Sequence, residues 1–240
     1  MQSRICKGCW QQMHMPVPLR GLASLPFRAF GIRPSRMNPN TCTICELMFS
    51  KVMRASKISI DATILFADIR GYTSLSQSHS AEQVSALLDD FYDTCGAAIW
   101  EHDGLLNKTM GDAVMAVFNF PIRQGDHTAQ ALRAARDIQQ SWNTKRVSLA
   151  GSFGLAAKDL EVGIGIDCGK VSFGEFGRSR LDLTAIGTVV NTASRAQSVA
   201  QGGEILVTAA VHDRLEELGN SRAQDFQLKG FEAPVTLYAA

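Results

Sequence analysis

The sequence predicts an α+β fold: one domain of ordinary size behind a short irregular N-terminal segment. Three observations carry this. From about residue 58 onward, apolar runs and long amphipathic stretches alternate in the order strand–helix–strand–strand–helix–strand. Five of the seven prolines (Pro16, Pro18, Pro26, Pro34 and Pro39) fall in the first 40 residues, where fixed φ and missing N–H donors oppose regular elements. Hydrophobic residues make up 45% of the 240, enough for one sizeable core and too many for a disordered chain.

The elements follow in order. Residues 1–57 form a Cys-rich, Pro-rich segment, expected as loops and short turns until Asn40 or Thr41 caps a helix through Glu46, Leu47, Phe49, Val52 and Met53. Residues 62–67 read as a buried strand that Asp68 ends. Residues 80–100 read as a helix, with Val84, Leu87, Leu88, Phe91 and Tyr92 at helical spacing. Asp103-Gly104 is a turn, and residues 105–108 and 113–118 form a hairpin with Gly111-Asp112 at its tip. A second amphipathic helix covers 126–142. Residues 160–166 and 170–174 read as a strand pair, 188–199 as a helix, 204–207 as a strand and 209–218 as a helix. Residues 227–228 and 235–238 close as short strands. This is the split βαβ order of a ferredoxin-like βαββαβ sheet with added helices and a terminal hairpin, placed at residues 58–240.

Charge narrows the function classes. Lysine and arginine number 24 and aspartate and glutamate 23, so the net charge of +1 argues against a broad nucleic-acid face. No secretory leader follows the basic start at Arg4 and Lys7, and no apolar run reaches the about 20 residues that a spanning helix needs. A cytoplasmic protein without a membrane segment is expected. Arg20, Arg28, Arg33 and Arg36 make the early segment locally basic, a solvated face by default. Met13, Met15, Met48 and Met53 read as packing residues, and Cys95 and Cys168 as small core residues.

Chemistry concentrates in two carboxylates. Asp68 ends a buried apolar strand, which is costly unless a cation or a hydrogen-bond set compensates it. Gly71 then permits a tight turn into a helix start, where backbone N–H groups suit phosphate oxygens. Asp112 sits at a hairpin tip. Two carboxylates at strand ends of one sheet can share hard cations, the arrangement of two-metal phosphoryl chemistry.

Three separated segments occur in order: Phe66-Ala67-Asp68-Ile69-Arg70-Gly71-Tyr72-Thr73, Lys108-Thr109-Met110-Gly111-Asp112, and the stretch from Thr184 through Gly187 and Asn191 to Arg195. Together with Leu228-Lys229-Gly230-Phe231 they resemble the class III nucleotidyl cyclase catalytic domain, of the threonine-type subgroup, over roughly residues 58–240. The resemblance implies an adenylate cyclase that makes 3′,5′-cyclic AMP and pyrophosphate from ATP. It implies that Asp68, Asp112 and the carbonyl of Ile69 hold two Mg²⁺ or Mn²⁺ ions. Lys108 and Thr184 would read the adenine, Asn191 would orient the ribose and Arg195 would stabilise the α-phosphate. Lys229 and the turn through Gly71, Tyr72 and Thr73 would bind the remaining phosphates. Both the metal-binding and the base-reading sets occur in this one chain, so the resemblance implies a homodimer. Thr184 stands where many members carry aspartate, and Thr188 where Asp or Asn is usual. A guanylate cyclase, and a nucleotide-binding metal or redox sensor without catalysis, are the alternatives.

Cys6-x-x-Cys9 and Cys42-x-x-Cys45 lie outside that resemblance, with 32 residues between the pairs. In a reducing compartment paired cysteines point to metal. Structural Zn²⁺, an iron–sulfur cluster, a redox dithiol and incidental cysteines all stay open from sequence. A short proline-rich segment has a physical motive for a metal staple, and regulation of the domain through it is expected.

Overall fold

The computed structural model describes residues 3–177 and 182–240. The elements are α1 Lys7–Met13, α2 Leu25–Ala29, α3 Thr43–Ala55, β1 Ile58–Ile69, α4 Tyr72–Ser78, α5 Ala81–Glu101, β2 Leu105–Met110, β3 Ala113–Phe118, α6 His127–Phe153, β4 Val162–Phe176, β5 Asp182–Ile186, α7 Thr188–Val199, β6 Ile205–Thr208, α8 Ala209–His212, β7 Ala223–Phe226 and β8 Val235–Ala239.

One eight-stranded sheet runs β2-β3-β1-β4-β6-β8-β7, with β5 hydrogen-bonded to β4. The first four strands in that order form the ferredoxin-like unit, and its pairs are all antiparallel. The β4–β6 pair is parallel. Strand periodicity splits the sheet into two apolar faces. Leu65, Ala67, Ile69, Ile164 and Ile166 pack with Leu87, Phe91, Leu132 and Trp142 of α5 and α6. Ile64, Phe66, Val117 and Phe173 pack with Val189 and Ala193 of α7 and Met53 of α3. Asp68 follows Phe66 by two residues and so faces the α7 side.

Local chemistry accounts for the boundaries. Ser80 caps α5 through a complete capping box with Gln83. Gly154, at φ +66°, ends α6 eleven residues beyond the sequence expectation, because 143–153 stay helical while their apolar residues pack against the core only in part. Several expectations are corrected. Residues 160–166 and 170–174 are not a strand pair: Leu160 ends a 3₁₀ turn, and 162–166 and 170–174 belong to the single strand β4, which β1 partners across the gap, with Ala62 opposite Gly169. Residues 209–218 are a one-turn helix and a separate 3₁₀ turn at Glu216–Leu218. The strand expected at 227–228 is β7, at Ala223–Phe226, and it pairs with β8.

The N-terminal segment is also more regular than its prolines imply. Cys6 caps α1, its Sγ accepting from the Cys9 amide. Cys42, rather than Thr41 or Asn40, caps α3, its Sγ accepting from Cys45. A small core forms around the four cysteines, Val17 and Leu19. Arg20 is structural, donating to the carbonyls of Ser3 and Pro39. Of the four methionines expected to pack, Met53 is buried, whereas Met13 at the end of α1, Met15 in the loop beyond it and Met48 of α3 are exposed. Cys95 and Cys168 are core residues as expected. No described helix is long and apolar enough to cross a membrane.

Candidate active site

The two carboxylates meet at one end of the central strands. Asp68 pairs in register with Ala113 of β3 on one side and Gly163 of β4 on the other. The missing side chain at Gly163 makes room for the Arg70 guanidinium. Asp112 stands between β2 and β3, and its carbonyl accepts from the Ile69 amide at 3.2 Å, so the two acidic positions are tied through the backbone. Gly111 takes φ +63°, the left-handed conformation that this tight hairpin tip requires. Burial first, and the nearby Asp112 charge second, push the Asp68 carboxyl up to about 6, with Arg70 opposing them. A carboxylate held up by burial and a second carboxylate is a site suited to a cation.

Three residues here escaped the sequence reading in these roles. The Arg70 guanidinium lies 3.9 Å from Asp68 and donates to the carbonyl of Gln197 near the end of α7. It lies over Gly163, where an added Cβ would sit 2.0 Å from its Nη2. Tyr92, expected only as an apolar position of α5, donates its hydroxyl to the Gly111 carbonyl. Asp182 pairs with Lys108. A repeating apolar spacing gives no signal for the bonds to Gln197, Gly111 and Lys108, because each of these partners lies at least 19 residues away. Tyr92→Phe should cost about 1 kcal/mol in denaturant unfolding, the worth of one hydrogen bond, and slow turnover several-fold by loosening the Asp112 tip. Unchanged turnover would show that the hydroxyl does not position Asp112.

The turn after Asp68 has Gly71 at φ +73°, followed at once by α4, whose first turn holds the half-buried Tyr72 and the exposed Thr73. Beside it lies a hollow of about 420 Å³ lined by Arg70, Gly71, Ser74, Lys158 and Asp159 among others.

A second group gathers around β2 and β5. Asn107 donates to the Leu183 carbonyl at 2.8 Å and accepts from the Thr184 hydroxyl at 3.3 Å. Side-chain bonds therefore bridge β2, which carries Lys108, and β5, which carries Thr184, although the two strands do not pair. Asn191 and Arg195 sit four apart on α7, Asn191 exposed and Arg195 half-buried. Gly165 sets the seat of this helix: a Cβ there would lie 2.1 Å from the Gln197 amide nitrogen and 2.4 Å from the Ala193 carbonyl oxygen. Lys229 is exposed in the β7–β8 loop, next to the buried Leu228 that anchors it. Among the described residues, no hydrogen bond or ion pair joins Lys108, Thr184, Asn191, Arg195 or Lys229 to Asp68 or Asp112. The structure brings the carboxylates together, links β2 and β5 through the Lys108–Asp182 and Asn107–Thr184 contacts, and leaves the two groups unconnected among the described residues.

The four N-terminal cysteines converge as well. All are buried, and their sulfurs lie within 4.8 Å of one another, close enough to hold a metal ion. Hydrogen bonds from Cys45 and Cys6 hold the Cys42 thiol far below its ordinary range, while burial holds Cys9 up.

Comparison with known proteins matches this architecture. Residues 55–239 match the family model for the adenylate and guanylate cyclase catalytic domain. An adenylate cyclase of Anabaena cylindrica is 38% identical over 186 residues, covering 73% of this chain and 36% of that relative. The chain thus spans little more than a third of that relative's length. The crystal structure of the adenylyl cyclase CyaB from P. aeruginosa superposes with a TM-score of 0.70 at 30% identity, over 77% of this chain and 95% of the other. That of the guanylyl cyclase Cya2 gives 0.69 at 27% identity, over 76% and 92%. With its sheet order, its paired carboxylates and this match over most of its length, the chain belongs to the adenylate and guanylate cyclase catalytic domain family.

Proposed function

We propose that this chain is an adenylate cyclase: residues 58–240 convert ATP to 3′,5′-cyclic AMP and pyrophosphate, and residues 1–57 form a regulatory appendage. The observation that carries the reading is the pairing of Asp68 and Asp112, with Asp68 held up to about 6 by burial and by that second carboxylate. The donor set is all oxygen, which suits hard divalent ions. Bound by Asp68, Asp112 and the Ile69 carbonyl, two Mg²⁺ or Mn²⁺ ions would lower the pKa of the ribose 3′-hydroxyl and neutralise the triphosphate.

The chain's own residues supply the rest. The ribose 3′-oxygen bonds to the α-phosphorus as the bond to the β-phosphate oxygen breaks. The hydroxyl proton passes to solvent water and pyrophosphate leaves. Negative charge grows on the non-bridging oxygens, and Arg195 stabilises it. Asn191, on the same face of α7, holds the ribose. The backbone N–H groups of Gly71, Tyr72 and Thr73 bind phosphate oxygens, and Lys229 binds the β- and γ-phosphates. Lys108 and Thr184 read the base: the ammonium donates to the adenine ring nitrogen and the hydroxyl accepts from the amino group.

The base-reading and metal-binding groups are unconnected within one chain, which supports a site shared between two copies. In a C₂ homodimer each site takes Asp68 and Asp112 from one protomer and Lys108, Thr184, Asn191 and Arg195 from its partner. Signalling through cyclic AMP in the cytoplasm is the role this reading gives the protein. GTP is the competing substrate, since the guanylyl cyclase Cya2 shares the fold at 27% identity. A non-catalytic sensor is disfavoured, because Asp68, Asp112 and Arg195 are all present.

The test is direct. The purified chain with Mn²⁺ should make cyclic AMP from ATP and little cyclic GMP from GTP. No product from either nucleotide would refute the enzyme, and preference for GTP would refute the base assignment. Lys108→Glu should cut ATP turnover by roughly a hundredfold or more, because a carboxylate repels the acceptor edge of adenine and leaves it unpaired. An unchanged rate would remove Lys108 from base recognition.

A further inference from the structure

We propose that Cys6, Cys9, Cys42 and Cys45 hold a single zinc ion in a tetrahedral thiolate site, and that this ion fastens the N-terminal segment onto the turn between α5 and β2. The proposal stands on the geometry of the segment and does not depend on which nucleotide the domain uses.

The sulfur positions select one ion over a cluster. Four sulfurs about 2.3 Å from a tetrahedral zinc stand about 3.8 Å from one another. Here Cys6 and Cys45 are 3.6 Å apart, Cys9 and Cys42 3.6 Å, and Cys9 and Cys45 3.4 Å. All four ligand atoms fall within 4.8 Å of each other. An iron–sulfur cluster interposes its own sulfides and further irons, which this spacing cannot enclose. A disulfide needs sulfurs about 2.05 Å apart, and no described pair is bonded. For a mononuclear thiolate site the divalent order places zinc above ferrous iron.

The surroundings are built for the thiolate form. The Cys9 amide donates to Cys6 Sγ at 3.3 Å, the Cys42 amide to the same sulfur at 3.2 Å, and the Cys45 amide to Cys42 Sγ at 3.5 Å. Such donors stabilise charge on sulfur and orient the ligands. Gly8, inside the first pair, gives Cys45 its space: a Cβ there would lie 2.9 Å from Cys45 Sγ.

The ligands neighbour the residues that grip the catalytic domain. Lys7 follows Cys6 and pairs with the buried Asp103. Asn40, two residues before Cys42, donates to the Trp100 carbonyl at 2.9 Å and to Asp103 Oδ1 at 2.8 Å. Asn38 donates to the Gly104 carbonyl at 2.8 Å, and Trp100 Nε1 returns a bond to the Met37 carbonyl. The Lys7 amide donates to the Asn40 carbonyl, joining both grips. Asp103 sits at φ +58°, in the left-handed region that aspartate tolerates better than most residues, and these contacts hold it there. β2 starts at Leu105 and leads through Lys108 to Asp112. Zinc loss releases both grips at once and frees this turn.

The experiment uses the full reduced chain. Elemental analysis should find one zinc per chain. Stripping with a chelator and adding Co²⁺ should give the sulfur-to-cobalt and visible bands of a tetrahedral thiolate site. Hydrogen exchange of residues 100–110 should rise roughly tenfold or more on stripping and fall back when Zn²⁺ is returned, with the α7 amides unchanged. Gly8→Ala, which keeps all four sulfurs, should weaken zinc retention roughly tenfold. Iron in place of zinc, with or without sulfide, overturns the ion. Failure to bind Zn²⁺ or Co²⁺ overturns the site. Exchange in residues 100–110 that ignores the metal overturns the fastening role. Strip-and-return on the unmutated chain keeps the test valid if Cys42→Ser fails to fold.

Discussion

Asp68→Asn is expected to lower cyclic-nucleotide formation by on the order of a thousandfold or more, and to make the metal-free protein more stable. The loss follows from removing an anionic ligand where the reaction needs several kcal/mol of charge stabilisation. The gain follows from the same charge. An unfolded aspartate ionises near 3.8, whereas burial and then Asp112 push folded Asp68 to about 6. Between those values the folded chain keeps a proton that the unfolded chain has lost. Stability therefore falls as pH rises through this window and stays lowered above it. Asparagine removes that penalty. Metal-free Asp68→Asn should gain about 1–3 kcal/mol at pH 7 and nothing near pH 3. Denaturant unfolding with chelator at the two pH values reads it. Equal stability at both would show that the carboxylate is already compensated by the protein. Retained turnover would remove Asp68 from the metal assignment.

Gly165→Ala is expected to damage both fold and catalysis from a position with no functional group. The added Cβ would meet the Gln197 amide at 2.1 Å and the Ala193 carbonyl at 2.4 Å, both backbone atoms that cannot rotate away. Ordinary contact requires α7 to move by over about 1 Å. Such overpacking costs about 1–3 kcal/mol or more. It also shifts Asn191 and Arg195, and an ångström of misplacement can cost roughly a hundredfold in rate. Gly151→Ala is the control: that glycine lies exposed in α6, and a Cβ there meets nothing within 4 Å. It should be neutral or stabilising by about 0.5–1 kcal/mol, with unchanged activity. Equal behaviour of the two variants would mean that α7 does not seat through Gly165.

The legible part of this fold was the part written locally. Asp68 after an apolar strand, Gly111-Asp112 at a turn, and Ser80 with Gln83 before a periodic helix each declare themselves within a few residues. The Asp-Cys-Gly stretch at 167–169 reads as a break, yet β1 pairs across it, and only the tertiary register supplies that information. Helix α1 was hidden and the start of α3 misplaced because cysteine sulfurs took over the capping that serine, threonine or asparagine usually performs. Among the site residues, those proposed to act on a ligand were named from their motifs. Arg70, Tyr92 and Asp182 act on other residues, and their contacts exist only after folding.

The central claim is a site completed by two copies of this chain. Complementation tests it most directly. Asp68→Asn and Arg195→Ala chains should each be inactive alone. Mixed in equal amounts under exchanging conditions, half of the dimers pair one of each and hold one intact site of two. Cyclic AMP formation with Mn²⁺ and ATP should then recover to about a quarter of the unmutated rate. A mixture that forms dimers but stays as inactive as its parts would contradict the shared site.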